Sequence, residues 1–376
     1  MRNSFKLLII FSLVFLFSCS SSKSSGDSEP DEDVVEEESL RKEASKVPCT
    51  GQKSCYSDDD YVEVGSGVTP EAFRIECPDK GGELFGQDAW YAEAGFCRSH
   101  IYSASGDSES GIVVKDESTG LEWQQEISGK YTYEEALNYC ENLEYGGFGD
   151  WRVPSMHELV SLIELRCFNW ECQDIDETYF PNTPKSLFWS SQKKITADVE
   201  PYNVWGVDFW SGYTKLTYMA NTISVRCVRG EPLYSAPEFE LSVRNGDEIV
   251  TDKNTNLIWQ KTHTMLNWKE ALSYCENLDY AGYGDWRLPN RNELLSLVDY
   301  EKTDPASSFP DMVPEIFWSS TTDVIFEQAD CADSDEYCGP DYYYDNVVLY
   351  ADFKYGNSGG YPIYSKEYSR YVKCVR

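Results

Sequence analysis

Positive charge is scarce in this chain. Against 65 Asp and Glu stand 32 Lys and Arg, and the formal net charge is −33. A field of that sign repels nucleic acid, anionic headgroups and sulfated polysaccharides at long range, and it favours cations, neutral partners and solubility. No nucleic-acid partner is expected. Histidine is nearly missing too: His100, His157 and His263 are the only three, too few and too scattered for a zinc site built from imidazoles. No His-Glu-x-x-His or phosphate-loop motif occurs, which removes the commonest signatures of metalloprotease and nucleotide chemistry. Long apolar runs are lacking as well. The one candidate, residues 7–17, is shorter than a comfortable membrane span.

What is present begins with that short run. Arg2 and Lys6 precede it and Leu16-Phe17-Ser18-Cys19 follows it, the layout of a secretory signal over residues 1–18. The cysteine after small and apolar residues resembles the lipobox of bacterial lipoproteins. That resemblance implies cleavage before Cys19, diacylation of its thiol and acylation of the new N-terminus, and so a palmitate-type membrane anchor. Residues 19–48 are Ser-rich and then acidic, with almost no aromatic residues. They cannot bury enough apolar surface to fold, so they read as a flexible tether. Ser20 stands where an Asp would resemble an inner-membrane retention signal, and the expected location is the outer membrane of a bacterial envelope.

The rest is rich in material for packed cores: 376 residues in all, 41% hydrophobic, with 11 Trp, 27 Tyr and 17 Phe. It is organised around a duplication. Cys140-Glu141-Asn142-Leu143 leads to Gly149-Asp150-Trp151-Arg152-Val153-Pro154, and Cys275-Glu276-Asn277-Leu278 leads to Gly284-Asp285-Trp286-Arg287-Leu288-Pro289. Residues 111–230 form one repeat, 231–246 a linker with two prolines, and 247–376 a second repeat. Ahead of them, residues 49–110 hold four cysteines and read as a small module that depends on its cross-links.

Within each repeat the pattern predicts a hairpin, two helices and a β meander. Ile112-Val113-Val114, a turn at 116–120 and Leu121-Glu122-Trp123-Gln124 make the hairpin, matched by Glu248-Ile249-Val250-Thr251 and Leu257-Ile258-Trp259-Gln260. Capping boxes then open four helices, at Thr132/Glu135, Ser155/Glu158, Asn267/Glu270 and Asn290/Glu293. Ala136, Leu137, Cys140 and Leu143 give the buried face of the first, which Gly146-Gly147 should end, as Gly282 should end its counterpart. Leu159, Leu162 and Ile163 give the buried face of the second, matched by Leu294, Leu297 and Val298. The four glutamates suggest acid/base chemistry at first sight, but each sits three residues past an N-cap, where capping accounts for it. The repeated Asp-Trp-Arg reads as a structural hinge, with Trp151 and Trp286 in the core and Arg152 and Arg287 satisfying nearby carboxylates or carbonyls.

Setting Cys19 aside leaves twelve cysteines, an even number in an exported chain, so all are expected in disulfides. The duplication aligns Cys140 with Cys275 and Cys227 with Cys374, and pairs Cys140–Cys227 and Cys275–Cys374. Cys167 with Cys172 and Cys331 with Cys338 lie in segments the repeats do not share, and each pair should close locally. Cys49, Cys55, Cys77 and Cys97 pair among themselves in one of three ways.

Trp-Gln after a Thr-Gly or Thr-Asn turn, Glu-Ala-Leu-x-Tyr-Cys, Gly-Asp-Trp-Arg-x-Pro, Phe-Trp-Ser-Ser and a closing Val-Arg-Cys-Val-Arg together resemble the Lcl C-terminal domain family. The resemblance covers both repeats, about two thirds of the chain. It implies an α+β fold of two tandem C-type-lectin-like modules, each with a hairpin, two helices and a meander closed by a disulfide from first helix to last strand, after the small Cys-rich module. It also implies kinship with formylglycine-generating enzymes, and a surface adhesin or ligand-binding role. Glycosaminoglycan binding, known in that family, is opposed here by the charge and by the lack of a Lys/Arg cluster in the repeats.

The function expected on these grounds is a non-catalytic adhesin or ligand-binding lipoprotein for a carbohydrate or a host or matrix protein. The alternatives are a structural envelope protein without a discrete ligand and an enzyme of the formylglycine-generating type, which needs the unpaired thiols that cysteine parity denies. Candidate ligand contacts are Trp170, Tyr343 and Asp345, where aromatics beside Asp and Asn suit sugar stacking. No cofactor is required, but Asp333 and Asp335, in a run of alternating carboxylates, are candidate calcium ligands.

Overall fold

The second repeat copies the first except at its end, where an isolated bridge at Val375 stands in place of the short closing strand. The computed structural model describes residues 47–376 except 51, 53–54, 57–61, 64–73, 83, 94–98, 166–174, 195–202, 234–236, 329–341 and 363–367. The N-terminal region holds β1 (Cys55–Tyr56), β2 (Val62–Glu63), β3 (Arg74–Ile75) and the helix α1 (Asp88–Glu93). Repeat 1 runs β4 (Tyr102–Asp107), β5 (Gly111–Asp116), β6 (Glu122–Gln124), β7 (Lys130–Tyr131), α2 (Tyr133–Glu141), α3 (Met156–Ser161), β8 (Leu187–Lys193), β9 (Asn203–Asp208), β10 (Thr214–Tyr218), β11 (Ile223–Ser224) and β12 (Val228–Arg229). Repeat 2 runs β13 (Phe239–Arg244), β14 (Asp247–Asp252), β15 (Ile258–Gln260), β16 (Thr264–Leu266), α4 (Trp268–Glu276), α5 (Arg291–Ser296), β17 (Ile316–Gln328), β18 (Tyr342–Asp352), β19 (Asn357–Pro362) and β20 (Arg370–Val372).

Each repeat builds two sheets. Repeat 1 has the orders β12-β6-β5-β4 and β10-β9-β8-β11-β7, and repeat 2 has β13-β14-β15 and β16-β20-β17-β18-β19, with β2 added beside β18. After the meander the chain returns to the middle of the larger sheet. There β11 runs parallel to β8 and antiparallel to β7, and β20 does the same between β17 and β16. This return carries the last cysteine of each repeat under its long helix. The bridges Cys140–Cys227 and Cys275–Cys374 are present, spanning 87 and 99 residues.

All four capping boxes form as the spacing predicts. The helix ends differ from expectation. The long helices stop at Asn142 and Asn277 rather than at the glycines, because each Asn amide donates to the carbonyl one turn back, Asn138 O at 2.8 Å and Ser273 O at 2.7 Å. Gly146, Gly147 and Gly282 supply positive φ in the turn beyond.

The expected α+β architecture of C-type-lectin-like modules with two full helices each does not hold. Among the described residues the fold is mostly β, about 35% strand against 14% helix, and the second helix of each repeat is only six residues. A serine stops it. Ser161 Oγ donates to Glu158 O at 2.7 Å, taking the carbonyl that Leu162 N–H would use in a continuing helix, and Leu162 N–H turns to Leu159 O at 3.1 Å. Ser296, Glu293 and Leu297 repeat this in the second copy. Of the apolar stripe, only Leu159 therefore lies on the helix, and Leu162 and Ile163 are buried from the turn and extended chain beyond it.

The repeats share a hydrophobic core, to which α3, α5 and both meanders contribute. Reciprocal polar bonds lock the contact. Arg291 of repeat 2 donates to Gly212 O at 2.6 Å, and Lys194 of repeat 1 donates to Tyr355 O at 2.7 Å, in the equivalent turn. Thr214 and Ser358 exchange bonds across the junction, and the Trp205 indole donates to Tyr300 O at 3.1 Å. His157 Nε2 donates to Val298 O at 3.1 Å, which requires the neutral imidazole to carry its proton there.

Burial lowers the His157 pKa from 6.5 to about 4, although Val298 O, Glu158 and Asp299 pull it upward. The folded state therefore binds fewer protons than the unfolded chain between pH 4 and 6.5. The stability tied to neutral His157 is whole above pH 6.5 and is lost as pH falls through 4, on the order of 3 kcal/mol. His157→Asn, which installs the residue found at the equivalent Asn292, is expected to flatten the decline in stability between pH 6.5 and 4 measured by denaturant unfolding.

Candidate functional site

Each Gly-Asp-Trp-Arg-x-Pro segment links the turn after the long helix to the N-cap of the short one, and its side chains leave in three directions. The Trp151 indole N–H donates to Tyr145 O and Phe148 O, both at 3.1 Å, and that of Trp286 to Tyr280 O at 3.0 Å. Asp150 accepts from Arg229 Nε at 2.7 Å and Asp285 from Arg376 Nε at 3.0 Å, tying the motif to the closing arginine of each repeat. Those arginines also stack on rings, Arg229 at 3.7 Å from the Phe148 centroid and Arg376 at 3.3 Å from that of Tyr283.

The motif arginine makes the central bond. Arg152 donates both Nη atoms to Glu158 at 2.7 Å, while Ser155 N–H donates to the same carboxylate at 2.7 Å. In repeat 2 Arg287 reaches Glu293 at 2.7 and 2.5 Å, and Asn290 N–H donates at 2.9 Å. One carboxylate thus closes the capping box and neutralises a guanidinium in fork geometry. The Arg backbones pair with Val228 and Val375 as isolated bridges. These residues act together as a structural knot, as their positions in the sequence suggest.

A second cluster of charge lies where the N-terminal region meets repeat 2. Asp88, at the start of α1, accepts from the Thr50 hydroxyl and from Thr321 Oγ1 at 2.9 Å. Gln52 Nε2 donates to Thr322 O at 2.9 Å, and the Tyr91 hydroxyl donates to Glu276. Burial pushes the Asp88 carboxyl up to about 6 and outweighs the two hydroxyl bonds; Glu293 adds to the rise and Arg287 opposes it. Burial also raises Glu276 and Tyr91. Raised carboxyl groups suit acid/base work. Here their oxygens are engaged in holding segments 38 and 233 residues apart in sequence.

The sequence-derived candidates divide sharply. Cys19, Cys97, Cys167, Cys172, Cys331, Cys338, Trp170, Asp333 and Asp335 lie outside the described residues. Tyr343 and Asp345 lie on β18, paired in register with Glu327 and Ile325 of β17, and Tyr343 also faces Glu63 of β2. Of the three pairings open to the N-terminal cysteines, Cys55–Cys77 is present, and Cys49 is disulfide-bonded too. Among the described residues no three His, Cys, Asp or Glu side chains group as metal ligands.

Sequence reasoning missed Asp88, Thr50, Thr321, His157, Arg291 and Lys194. A signal existed for some of them. Where the aligned repeats differ at a buried polar position, Met156 against Arg291 or His157 against Asn292, one copy meets something that the other does not. Gln192 and Thr321 differ in type but play one part, accepting from Met156 N–H at 2.6 Å and from Arg291 N–H at 2.9 Å.

Two predictions follow from these clusters. Arg287 and Glu293 are buried, with side chains 7% and 1% exposed, whereas Arg152 is 32% exposed. Arg287→Met leaves an uncompensated buried carboxylate and is expected to cost about 3–5 kcal/mol in denaturant unfolding, with Arg152→Met costing less. The Asp88 pKa is raised in the fold, so the associated stability is whole below pH 3.8 and lost as pH rises through about 6. Asp88→Asn should therefore unfold at higher denaturant than the unmodified chain at pH 7, and the gap should close toward pH 4.

The family comparison agrees with this repeated frame. The model of the Lcl C-terminal domain matches residues 112–229 and again 248–376. No curated protein matches the chain. Both matched stretches contain the Arg–Glu knot, the helix-to-strand disulfide and the closing arginine. The chain belongs to the Lcl C-terminal domain family and carries that domain twice.

Proposed function

We propose that this chain is a non-catalytic ligand-binding lipoprotein of the bacterial envelope, an adhesin held by acylated Cys19 on a tether that ends before Val47, which is buried in the core. The observation that carries the reading is unequal hairpins on equal frames. In repeat 1 the meander opens with strands of 7 and 6 residues, β8 and β9; in repeat 2 the equivalent β17 and β18 have 13 and 11. Frame residues recur in both copies, from the capping boxes to the disulfide. Variation at one end of a rigid module is where binding specificity commonly resides.

The ligand class that fits is a neutral carbohydrate or an extracellular matrix or host protein, because the net charge of −33 opposes sulfated polymers. Tyr343 and Asp345 belong to the longer hairpin, and Asp333 and Asp335 lie between its strands in sequence. Two modules in one chain gain avidity when both engage.

The test is binding of the full chain, reconstituted in vesicles, to an array of neutral glycans and matrix proteins with and without a calcium chelator. Saturable binding that drops on replacement of Tyr343 and Asp345 by Ala is expected. Silence across the array overturns the reading and leaves a structural role in the envelope. Binding abolished by chelator assigns a cation to the Asp333 and Asp335 segment.

A further inference from the structure

The strand β13 is a free edge with an apolar face. It ends the order β13-β14-β15, and among the described residues no strand pairs its outer side. Its sequence alternates Phe239-Glu240-Leu241-Ser242-Val243-Arg244 without proline or bulge. Leu241 and Val243 are 48% and 66% exposed. The fold does not impose this. In repeat 1 the equivalent edge strand β4 pairs Tyr102 with Asp116 as β13 pairs Phe239 with Asp252. The positions of Leu241 and Val243 are there Ala104 and Gly106. An exposed, regular, apolar edge is a template for strand addition, and soluble chains normally blunt it with Lys, Pro or a bulge.

The backbone phase of that edge can be read directly. Lys253 N–H donates to Glu238 O at 2.9 Å, so the even-numbered residues of β13 turn their amides and carbonyls toward β14. Arg244 and Asp247 close a two-residue turn in which Asn245 and Gly246 both have positive φ, 52° and 94°, the primed geometry that requires such a bonded closing pair. The free amides and carbonyls therefore belong to Phe239, Leu241 and Val243. An added antiparallel strand must bond to these odd-numbered positions.

A second copy of the same strand satisfies that condition and matches in charge. With a two-fold axis at Ser242, Leu241 lies opposite Val243 of the other copy in a bonded pair, and Glu240 lies opposite Arg244. Each pair occurs twice, so both apolar side chains gain a partner; Glu240, which within one chain meets Lys253, and Arg244, which lies over Tyr283 and donates to its hydroxyl, then meet each other across the axis. Registers shifted by one residue in either direction along each strand lose the Glu240–Arg244 match. We propose that two copies of this chain associate through β13 in this register, joining two three-stranded sheets into one of six strands.

The test uses the full chain in detergent micelles and does not depend on any ligand. Ser242 faces its own copy in a non-bonded antiparallel pair, where Cα atoms sit about 4.5 Å apart, within reach of a disulfide. Ser242→Cys is expected to give a covalent dimer on non-reducing electrophoresis that reductant dissolves, and Glu240→Cys is not. Glu240→Arg or Arg244→Glu alone should weaken the dimer, measured by light scattering, roughly a hundredfold, and the double exchange should restore it. All three positions are exposed on the surface, and a retained cooperative unfolding transition verifies that each variant folds. A chain that stays monomeric and never cross-links through Ser242→Cys overturns the proposal and leaves the edge to a strand from another protein. A dimer indifferent to charge reversal overturns it equally.

Discussion

The bond between the motif arginine and the third residue of the short helix is the constraint on which each repeat depends. Glu158 and Glu293 each serve a helix N-terminus and a guanidinium at once. Capping alone is worth about 1 kcal/mol, and a surface ion pair about as little. Burial changes the magnitude. Once both partners leave water, each becomes expensive without the other, so the short helix, the turn before it and the strand bridged to the Arg backbone must assemble together. The disulfide then joins the long helix to the neighbouring residues of the same final strand. Two cross-links, one ionic and one covalent, meet within a few residues of the C-terminal end of each repeat.

Local features were legible in the sequence because they rest on short spacings. The capping boxes at Thr132, Ser155, Asn267 and Asn290 follow from residues three apart, and the bridges Cys140–Cys227 and Cys275–Cys374 follow from aligning two copies. The helical content was overestimated for an equally local reason. Ser161 and Ser296 look like ordinary helix residues in a periodic pattern, yet each takes the carbonyl that the next turn needs. The strands β4 and β13 were missed because neither has the expected signal: β4 is built of Ser, Ala and Gly, and β13 follows two prolines that read as a linker. The junction at Asp88 was illegible because its partners, Thr50 and Thr321, carry no mark of pairing in the sequence.

Duplication explains both the likeness of the repeats and where they part. Two copies facing each other through α3 and α5 begin with equivalent surfaces, and the reciprocal bonds of Arg291 to Gly212 and Lys194 to Tyr355 retain that symmetry in outline. The N-terminal region breaks it. Asn292 donates its amide to Pro48 O at 3.3 Å, while the equivalent His157 reaches across to Val298 O. Leu165 N–H donates to Thr50 O at 2.7 Å, so the same incoming segment also touches repeat 1. The incoming segment therefore gives equivalent positions different neighbours, and a titratable imidazole occupies one while a non-titrating amide occupies the other.

The overall charge limits what can hold two such chains, or a chain and its ligand, together. At physiological ionic strength charges separated by more than about 8 Å are largely screened, so a net charge of −33 acts mainly on approach and less at contact. Attraction must come from short-range terms: apolar burial, backbone bonds and charge pairs in register. Added salt then has two opposing effects, easing the long-range repulsion while weakening exposed pairs such as Lys115–Glu117 and Lys253–Glu240. Associations built on backbone bonds and buried aliphatic groups should strengthen or hold steady as salt rises, whereas any resting on surface ion pairs should weaken. The sign of the salt dependence therefore reports which kind of contact dominates, independently of the identity of the partner.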